Sequence, residues 1–257
     1  MSKLNAFLLH FTASALVVGT VLVLVWFAWY PKPLFDLVGA WSVIKVLVTV
    51  DLVLGPALTL LLYKPGKKHL ILDMSVVLVI QLAALVYGVS VIYQERPCYM
   101  VFAVDRFEAI PCRAIDQAEL AQQTAIPAKL WHEPLYVVAN MPDDPLKAQK
   151  ILEEVVFEGK PDIAERPSLW APYDAEAFAQ IRHKGVLLSQ LPERTEDKAV
   201  LNAGKALTEK HGADLLLIPL TAANNVISLA IDPTTYKAVD HLSWSVWSDE
   251  LEQAEAQ

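Results

Sequence analysis

An uncharged, strongly apolar stretch near the N-terminus, residues 8–30, constrains the fold of this chain more than any other feature. At 1.5 Å per residue, about 20 helical residues cross a hydrocarbon core of roughly 30 Å. The stretch ends in Trp26, Trp29 and Tyr30, and such aromatic side chains collect at membrane–water interfaces. A Pro-Lys-Pro segment follows instead of a small-residue cleavage site. The sequence therefore predicts a retained transmembrane helix.

Two further apolar segments, residues 38–63 and 69–93, are predicted to form a helical hairpin, because only a short lysine-rich turn at residues 64–68 separates them. Lys3 and that turn would lie on one side of the membrane, and only Lys32, offset by an acidic residue, on the other. We therefore expect a bacterial inner-membrane protein with a cytoplasmic N-terminus and a periplasmic C-terminal part.

The C-terminal part is acidic, with 26 Asp/Glu against 15 Lys/Arg from residue 95 onward. This balance argues against nucleic-acid binding, which needs a basic face. We find no Gly-x-Ser-x-Gly elbow, no phosphate-binding glycine loop and no His-Glu-x-x-His zinc motif in the sequence. We therefore expect no cofactor, no metal and no catalytic residue, and a protein that is not an enzyme.

Cys98 and Cys112, the two cysteines of the chain, both follow the third apolar segment, where the predicted topology gives an oxidising compartment. Residues 98–104 and 107–111 look like a hairpin. A three-residue turn, residues 104–106, would place the two cysteines opposite each other and allow a structural disulfide. The alternative is two unpaired, small apolar side chains.

Charged residues inside the predicted spans need an explanation, because each costs roughly 2.5–3.5 kcal/mol at mid-bilayer. Lys45 lies near a span end and can extend toward water. Asp51 lies near the middle of its span, with Gly55 one turn further on the same face and Pro56 removing a backbone donor beside it. Leu58, two turns beyond Asp51, is predicted to share its side of the helix.

The third segment offers the best partner for that aspartate. Asp73, near a span end, shares a face with Ala84 and Gly88, and Gln81 flanks this face. Ala84 and Gly88 form a small-xxx-small pattern that permits close helix packing. Two alternatives remain open: the aspartate bonds within the bundle and fixes the hairpin, or it contacts another membrane segment.

This hairpin and the segment after it contain a series of motifs, which follow one another along the chain in this order: Asp51-Leu52-Val53-Leu54-Gly55-Pro56-Ala57-Leu58-Thr59-Leu60, Pro65-Gly66-Lys67-Lys68, Asp73, Gln81-Leu82-Ala83-Ala84-Leu85-Val86-Tyr87-Gly88, Arg96-Pro97 and Val101-Phe102-Ala103-Val104-Asp105-Arg106-Phe107. In composition and order they closely resemble the TfpX/TfpZ family of type IV pilin accessory proteins. The resemblance implies three membrane spans, a periplasmic domain and an influence on how efficiently a pilin becomes surface pili. Because the match is densest there, we expect contacts with pilin or another partner at Asp51, Gly55, Pro56, Thr59, Gln81, Gly88, Arg96, Asp105, Arg106 and Phe107.

The predicted fold is a membrane protein with three N-terminal transmembrane α-helices (residues 1–95), a periplasmic α+β domain with an antiparallel sheet (residues 96–247) and an acidic tail (residues 248–257). Beyond the hairpin, the patterns predict helices at 115–124, 145–157, from 174 and at 196–210, strands at 135–140, 215–220, 226–231 and 236–242, and a proline-rich surface stretch between 161 and 172.

The expected function is that of an inner-membrane accessory factor for type IV pilus biogenesis, which handles or stabilises its pilin, as a chaperone would, and modulates surface piliation and twitching motility. Its expected partners are a type IV pilin, inner-membrane pilus assembly proteins and membrane lipid. Two alternatives stay open: a regulatory subunit of the assembly machinery that never contacts pilin, and a membrane-bound thiol- or peptide-processing enzyme.

Overall fold

A computed structural model of the chain describes residues 2–30, 33–126, 134–223 and 225–247. The chain divides into two units, residues 1–96 and 97–257, which are described separately below. The predicted acidic tail at 248–257, Lys32 of the orientation argument and Asn224 of a predicted turn lie outside the described residues.

Three helices of the N-terminal unit are long and apolar enough to cross a membrane, as the sequence predicts: Lys3–Trp29, Trp41–Leu62 and Leu70–Glu95. They are called the first, second and third spans. The first consists of α1 (Lys3–Leu24) and a π-helical turn (Val25–Trp29), and the short α2 (Leu34–Leu37) precedes the second. The second consists of α3 (Trp41–Val48), a π-helical turn (Thr49–Leu54) and α4 (Gly55–Leu62), and the third is α5 (Leu70–Glu95).

Apolar packing holds these helices together, with α1 and α5 both against α4. The buried cluster includes Val18, Val25, Ile44 and Ile92. Near one end of the bundle the Tyr30 hydroxyl donates a hydrogen bond of 2.7 Å to the Ile92 carbonyl. Large apolar side chains elsewhere on the three helices face outward, as a lipid-facing surface requires.

The two charged residues near the span ends have different surroundings. Asp73, on the first turn of α5, forms an ion pair with Lys67 of the turn between the second and third spans. Lys45 is exposed on α3. Neither side chain lies in the interior of the bundle, so neither is a partner for the buried Asp51.

A mixed sheet forms the centre of the C-terminal unit, and eight strands belong to it within the described residues. The order is β4-β3-β1-β2-β6-β7-β8, with β5 also beside β6. The strands are β1 (Pro97–Ala103), β2 (Arg106–Pro111), β3 (Leu135–Ala139), β4 (Trp170–Pro172), β5 (Val186–Leu187), β6 (Leu216–Ala222), β7 (Asn225–Ile231) and β8 (Ala238–Leu242). The helices are α6 (Gln117–Leu120), α7 (Pro145–Glu158), α8 (Ala175–Ile181) and α9 (Lys198–His211), with 3-10 turns at Cys112–Ala114, Ile163–Glu165, Pro167–Leu169, Arg182–Lys184 and Leu188–Glu193.

The antiparallel pairs that the sequence predicts are present, but β1 also pairs with β3 in parallel and β2 with β6 in parallel. A parallel pair needs a crossover connection. Residues 104–134, which include β2, connect β1 to β3, and residues 112–215 connect β2 to β6. Because no local pattern specifies which strands such crossovers bring together, the parallel pairs were not predicted.

The predicted disulfide between Cys98 and Cys112 is confirmed, with a Cα–Cα distance of 4.9 Å. The register from which it was predicted is wrong. Ala103 pairs with Arg106, so the turn holds two residues, and the register shifts between Pro97 and Tyr99. This irregularity leaves Cys98 between paired positions and brings it to Cys112, which lies just after β2.

Two further expectations need correction. The proline-rich stretch is not a surface segment, because Ile163, Ala164, Pro167 and Trp170 are buried in the core cluster of β1 and β3 or beside it. The helix predicted at 115–124 is a single turn, Gln117–Leu120, in which the Asp116 side chain accepts hydrogen bonds from two backbone N–H groups. Local polarity and proline content do not report contacts that form with distant strands.

Side chains of the last turn of α9 contact a carboxylate of β8. The Asp240 carboxylate accepts a hydrogen bond of 2.7 Å from Lys210 Nζ, and His211 Nε2 lies 3.0 Å from the same oxygen. Burial favours a raised pKa for Asp240, but the hydrogen bonds from Lys210 and His211 outweigh it and hold the pKa at about 2.

Candidate functional site

Asp51 lies midway along the second span, in its π-helical turn, and is only 5% exposed. Pro56 has no N–H to donate to the carbonyl of Leu52, and the Gly55 N–H bonds instead to the Val50 carbonyl, one residue further back than in an α-helix. The wider turn accommodates the proline. Turns of this kind occur frequently at functional sites of helices.

Gly55 makes room for the side chain of Gln81 on the third span. A Cβ atom on Gly55 would lie 1.7 Å from Gln81 Nε2 and 2.4 Å from its Cδ. Gln81 is 7% exposed and is a polar neighbour of Asp51. The sequence prediction that the third span supplies the partner of Asp51 therefore agrees with the position of Gln81.

The first span contributes a polar residue that the sequence reasoning missed. His10 Nδ1 lies 2.6 Å from Thr59 Oγ1 of α4, and His10 is also an electrostatic neighbour of Asp51. The signal was available, because a histidine within an apolar segment is itself an ionisable residue in the membrane. We call His10, Asp51, Thr59 and Gln81 the intramembrane polar cluster.

The π-helical turn also changes which residue shares the face of Asp51. A π-helical turn holds one residue more than an α-helical turn, so the face that residue i would occupy in an α-helix is occupied by residue i+1 after the turn. Thr59 is buried like Asp51, whereas Leu58 is 41% exposed. The expectation that Leu58 lies on the side of Asp51 is therefore wrong, and Leu58 lies at the edge of the buried stripe.

Hydrogen bonding within the intramembrane polar cluster is incomplete. Asp51 Oδ2, Gln81 Nε2 and Gln81 Oε1 are buried and have no hydrogen-bond partner among the described residues. An unpaired polar group is costly in hydrocarbon, so a site of this kind can accept a water molecule or a polar group from another segment. Within the described ranges we find no group of three His, Cys, Asp or Glu side chains able to hold a metal.

Two other residues of the predicted contact set are engaged within the N-terminal unit. A Cβ atom on Gly88 would lie 3.3 Å from Leu47 Cδ1, so this glycine closes the hairpin of the second and third spans. The Arg96 guanidinium lies 3.6 Å from the centre of the Tyr93 ring and donates a hydrogen bond to the Tyr93 carbonyl. Both positions therefore have a structural role.

Asp105, Arg106 and Phe107 belong to the C-terminal unit. Arg106 bonds to Asp105 at 3.2 Å and to Glu108 at 3.0 Å, at the partly exposed end of the β1–β2 hairpin. Phe107 is fully buried among aromatic rings that include Tyr136 and is a core residue. Only the charged members of this motif lie at a surface.

Three apolar helices with a buried polar cluster, followed by a folded mixed-sheet domain, define this chain as a membrane protein. Residues 1–39 match the family model described as fimbrial assembly protein FimB. Three fimbrial assembly proteins of Dichelobacter nodosus are similar to this chain. That of serogroup I is 31% identical over 80% of this chain and 78% of its own length, and that of serogroup E1 is 32% identical over 71% of each. That of serogroups C1 and C2 is 36% identical over 45% of this chain and 87% of its own length.

The chain belongs to the FimB family of fimbrial assembly proteins. This confirms the resemblance to pilus accessory proteins, although the family model matches residues that precede the motifs at 51–107. No solved structure matches the chain significantly.

Proposed function

We propose that this protein is an inner-membrane accessory factor for type IV pilus biogenesis, with a cytoplasmic N-terminus and a periplasmic C-terminal unit. It binds the apolar helix of its membrane-held pilin beside the second span, stabilises that pilin, and thereby modulates surface piliation and twitching motility. The assembly names of its relatives favour a role in handling the pilin over catalysis.

The observation that carries the proposal is the intramembrane polar cluster. Asp51 and Gln81 are expensive to bury, and three of their polar atoms have no partner among the described residues. A helix bundle that served only as an anchor would gain stability from apolar residues at both positions. A partner helix that brings a polar group to the second span would compensate this cost.

The outer surface of α4 offers two places for such a helix. At 100° per residue, Leu58 and Leu60 lie on opposite sides of the buried stripe that Gly55, Pro56 and Thr59 form. They are almost equally exposed, at 41% and 40%. One position can therefore serve as the matched control of the other.

The test is photo-crosslinking in living cells from a probe at Leu58, with the same probe at Leu60 as the control. We expect a pilin adduct at one of the two positions and a much weaker adduct at the other. Replacing Asp51 by leucine should lower the adduct yield while leaving the amount of protein in the membrane unchanged.

Other adducts would contradict the proposal. Crosslinks to inner-membrane assembly proteins without pilin would favour a regulatory subunit of the pilus machinery. Equal pilin adducts from Leu58 and Leu60 would indicate random collision in the bilayer. Abnormal pilin disulfides in cells whose chain carries serine at Cys98 and Cys112 would favour a thiol-processing enzyme.

A further inference from the structure

A cavity of about 360 Å³ opens in the C-terminal unit at the carboxyl ends of β1 and β3. These two strands are parallel, so their carboxyl ends meet at one edge of the sheet, where ligands bind in many folds with parallel strands. The floor is apolar and consists of buried side chains, among them Phe102, Val138 and Ile181. The volume suits a group of the size of one or two amino-acid residues.

The rim of this cavity contains a strained residue. Val104 has a φ of +60°, a conformation that a β-branched residue rarely adopts. The Asp105 N–H bonds to the Ala103 carbonyl at 2.7 Å and closes a three-residue turn around it. Val104 is the first residue of the two-residue β1–β2 turn, and tight hairpin turns require a positive φ at that position, so the turn accounts for this conformation. Val104 is 67% exposed and lines the cavity, so its side chain can contact a bound apolar group.

The charge of the rim is opposite to that of the unit around it. Acidic residues outnumber basic ones by 26 to 15 from residue 95 onward, yet no acidic side chain among the described residues lines the cavity. The polar lining residues are Asn140, Gln180, His183 and Lys184. A lysine over an apolar floor, without a lining carboxylate, attracts an anion that carries an apolar group.

We propose that this cavity binds the carboxyl-terminal end of a polypeptide. Lys184 binds the terminal carboxylate, and the carboxamides of Asn140 and Gln180 bond the last peptide group, for which each has both a donor and an acceptor. The apolar floor takes the last side chain. The inference concerns the C-terminal unit alone and holds whether or not the second span contacts a pilin.

The test uses the full-length chain in detergent micelles and a fluorescein-labelled tetrapeptide that ends in leucine, with binding followed by fluorescence polarisation. The free carboxylate should bind at least about tenfold more tightly than the same peptide with an amidated end. Lys184→Gln should remove that difference. Lys147→Gln, which changes an exposed lysine of α7 away from the cavity, should retain it.

Val104→Gly provides a second variant that does not threaten the fold, because glycine adopts a positive φ without strain. We expect weaker peptide binding and an unchanged or higher melting temperature.

Equal binding of the acid and the amide, or no saturation by about 5 mM peptide, would overturn the proposal. So would an unchanged affinity in Lys184→Gln. Tighter, Lys184-dependent binding of octanoate than of the peptide would assign the carboxylate to a fatty acid and overturn the polypeptide as its source.

Discussion

Replacing Gly55 by alanine tests the packing inside the intramembrane polar cluster. The new methyl group would lie 1.7 Å from Gln81 Nε2, so the carboxamide must move. Forcing an extra methyl group into a packed site costs about 1–3 kcal/mol, whereas alanine gains up to about 1 kcal/mol over glycine in a helix. We therefore expect Gly55→Ala to lower the free energy of unfolding by about 1–2 kcal/mol.

The effect of Gly55→Ala on the free energy of unfolding should change sign when Gln81 is first replaced by alanine. The displaced carboxamide is then absent, and Gly55→Ala should stabilise the bundle by about 0.5–1 kcal/mol. The coupling between the two positions is thus about 1.5–3 kcal/mol, which is typical of residues in direct contact. The four variants can be compared by equilibrium unfolding in mixed micelles with increasing dodecyl sulfate.

Gly19 on the first span is the control, since no atom lies within 4 Å of a Cβ placed there. Gly19→Ala should stabilise the chain by up to about 1 kcal/mol whether or not Gln81 is present. An effect of Gly55→Ala that is the same in both Gln81 backgrounds would refute the reasoning.

Three further measurements test the structure. Reduction of the Cys98–Cys112 disulfide, whose cysteines are 14 residues apart, should destabilise the C-terminal unit by about 3 kcal/mol, and thermal unfolding with and without reductant should show a lower melting temperature. Asp240→Asn should lower the free energy of unfolding by about 1–2 kcal/mol at pH 6. This difference should vanish as the pH falls from about 4 to 2, because a carboxylate with a depressed pKa stabilises the folded state only while it is ionised. An equal difference at pH 2 would exclude the carboxylate as its cause. Thr59→Val should destabilise the bundle by about 0.5–2 kcal/mol because it leaves His10 without its hydroxyl partner, and an unchanged dodecyl sulfate midpoint would contradict the contact.

Local features of the sequence were sufficient for much of the secondary structure. Asp144 and Asp174 accept hydrogen bonds at the starts of α7 and α8, and Gly212, with a φ of +63°, ends α9. Side-chain caps and left-handed glycines act on neighbours a few residues away, so their patterns can be read from the chain directly. The same holds for the apolar segments that form the three spans.

The candidate site was predicted only in part. The third span was expected to supply the neighbour of Asp51, because a short turn fixes that span beside the second, and the position of Gln81 agrees with this. His10 was missed, since it lies 49 residues from Thr59 in the sequence and only the packing of the first span against α4 brings the two together. The side of the helix on which Leu58 lies was mispredicted, because one π-helical turn shifts the register of every residue after it.

The sequence by itself thus determined the spans, the capping residues of α7, α8 and α9, and the existence of the disulfide, since each follows from hydropathy, local hydrogen bonding or cysteine content. The tertiary structure decided the parallel strand pairs, the burial of the proline-rich stretch and the membership of the intramembrane polar cluster. Those features depend on contacts between residues far apart in the chain, and such contacts are selected by the packing of whole elements rather than by any local pattern.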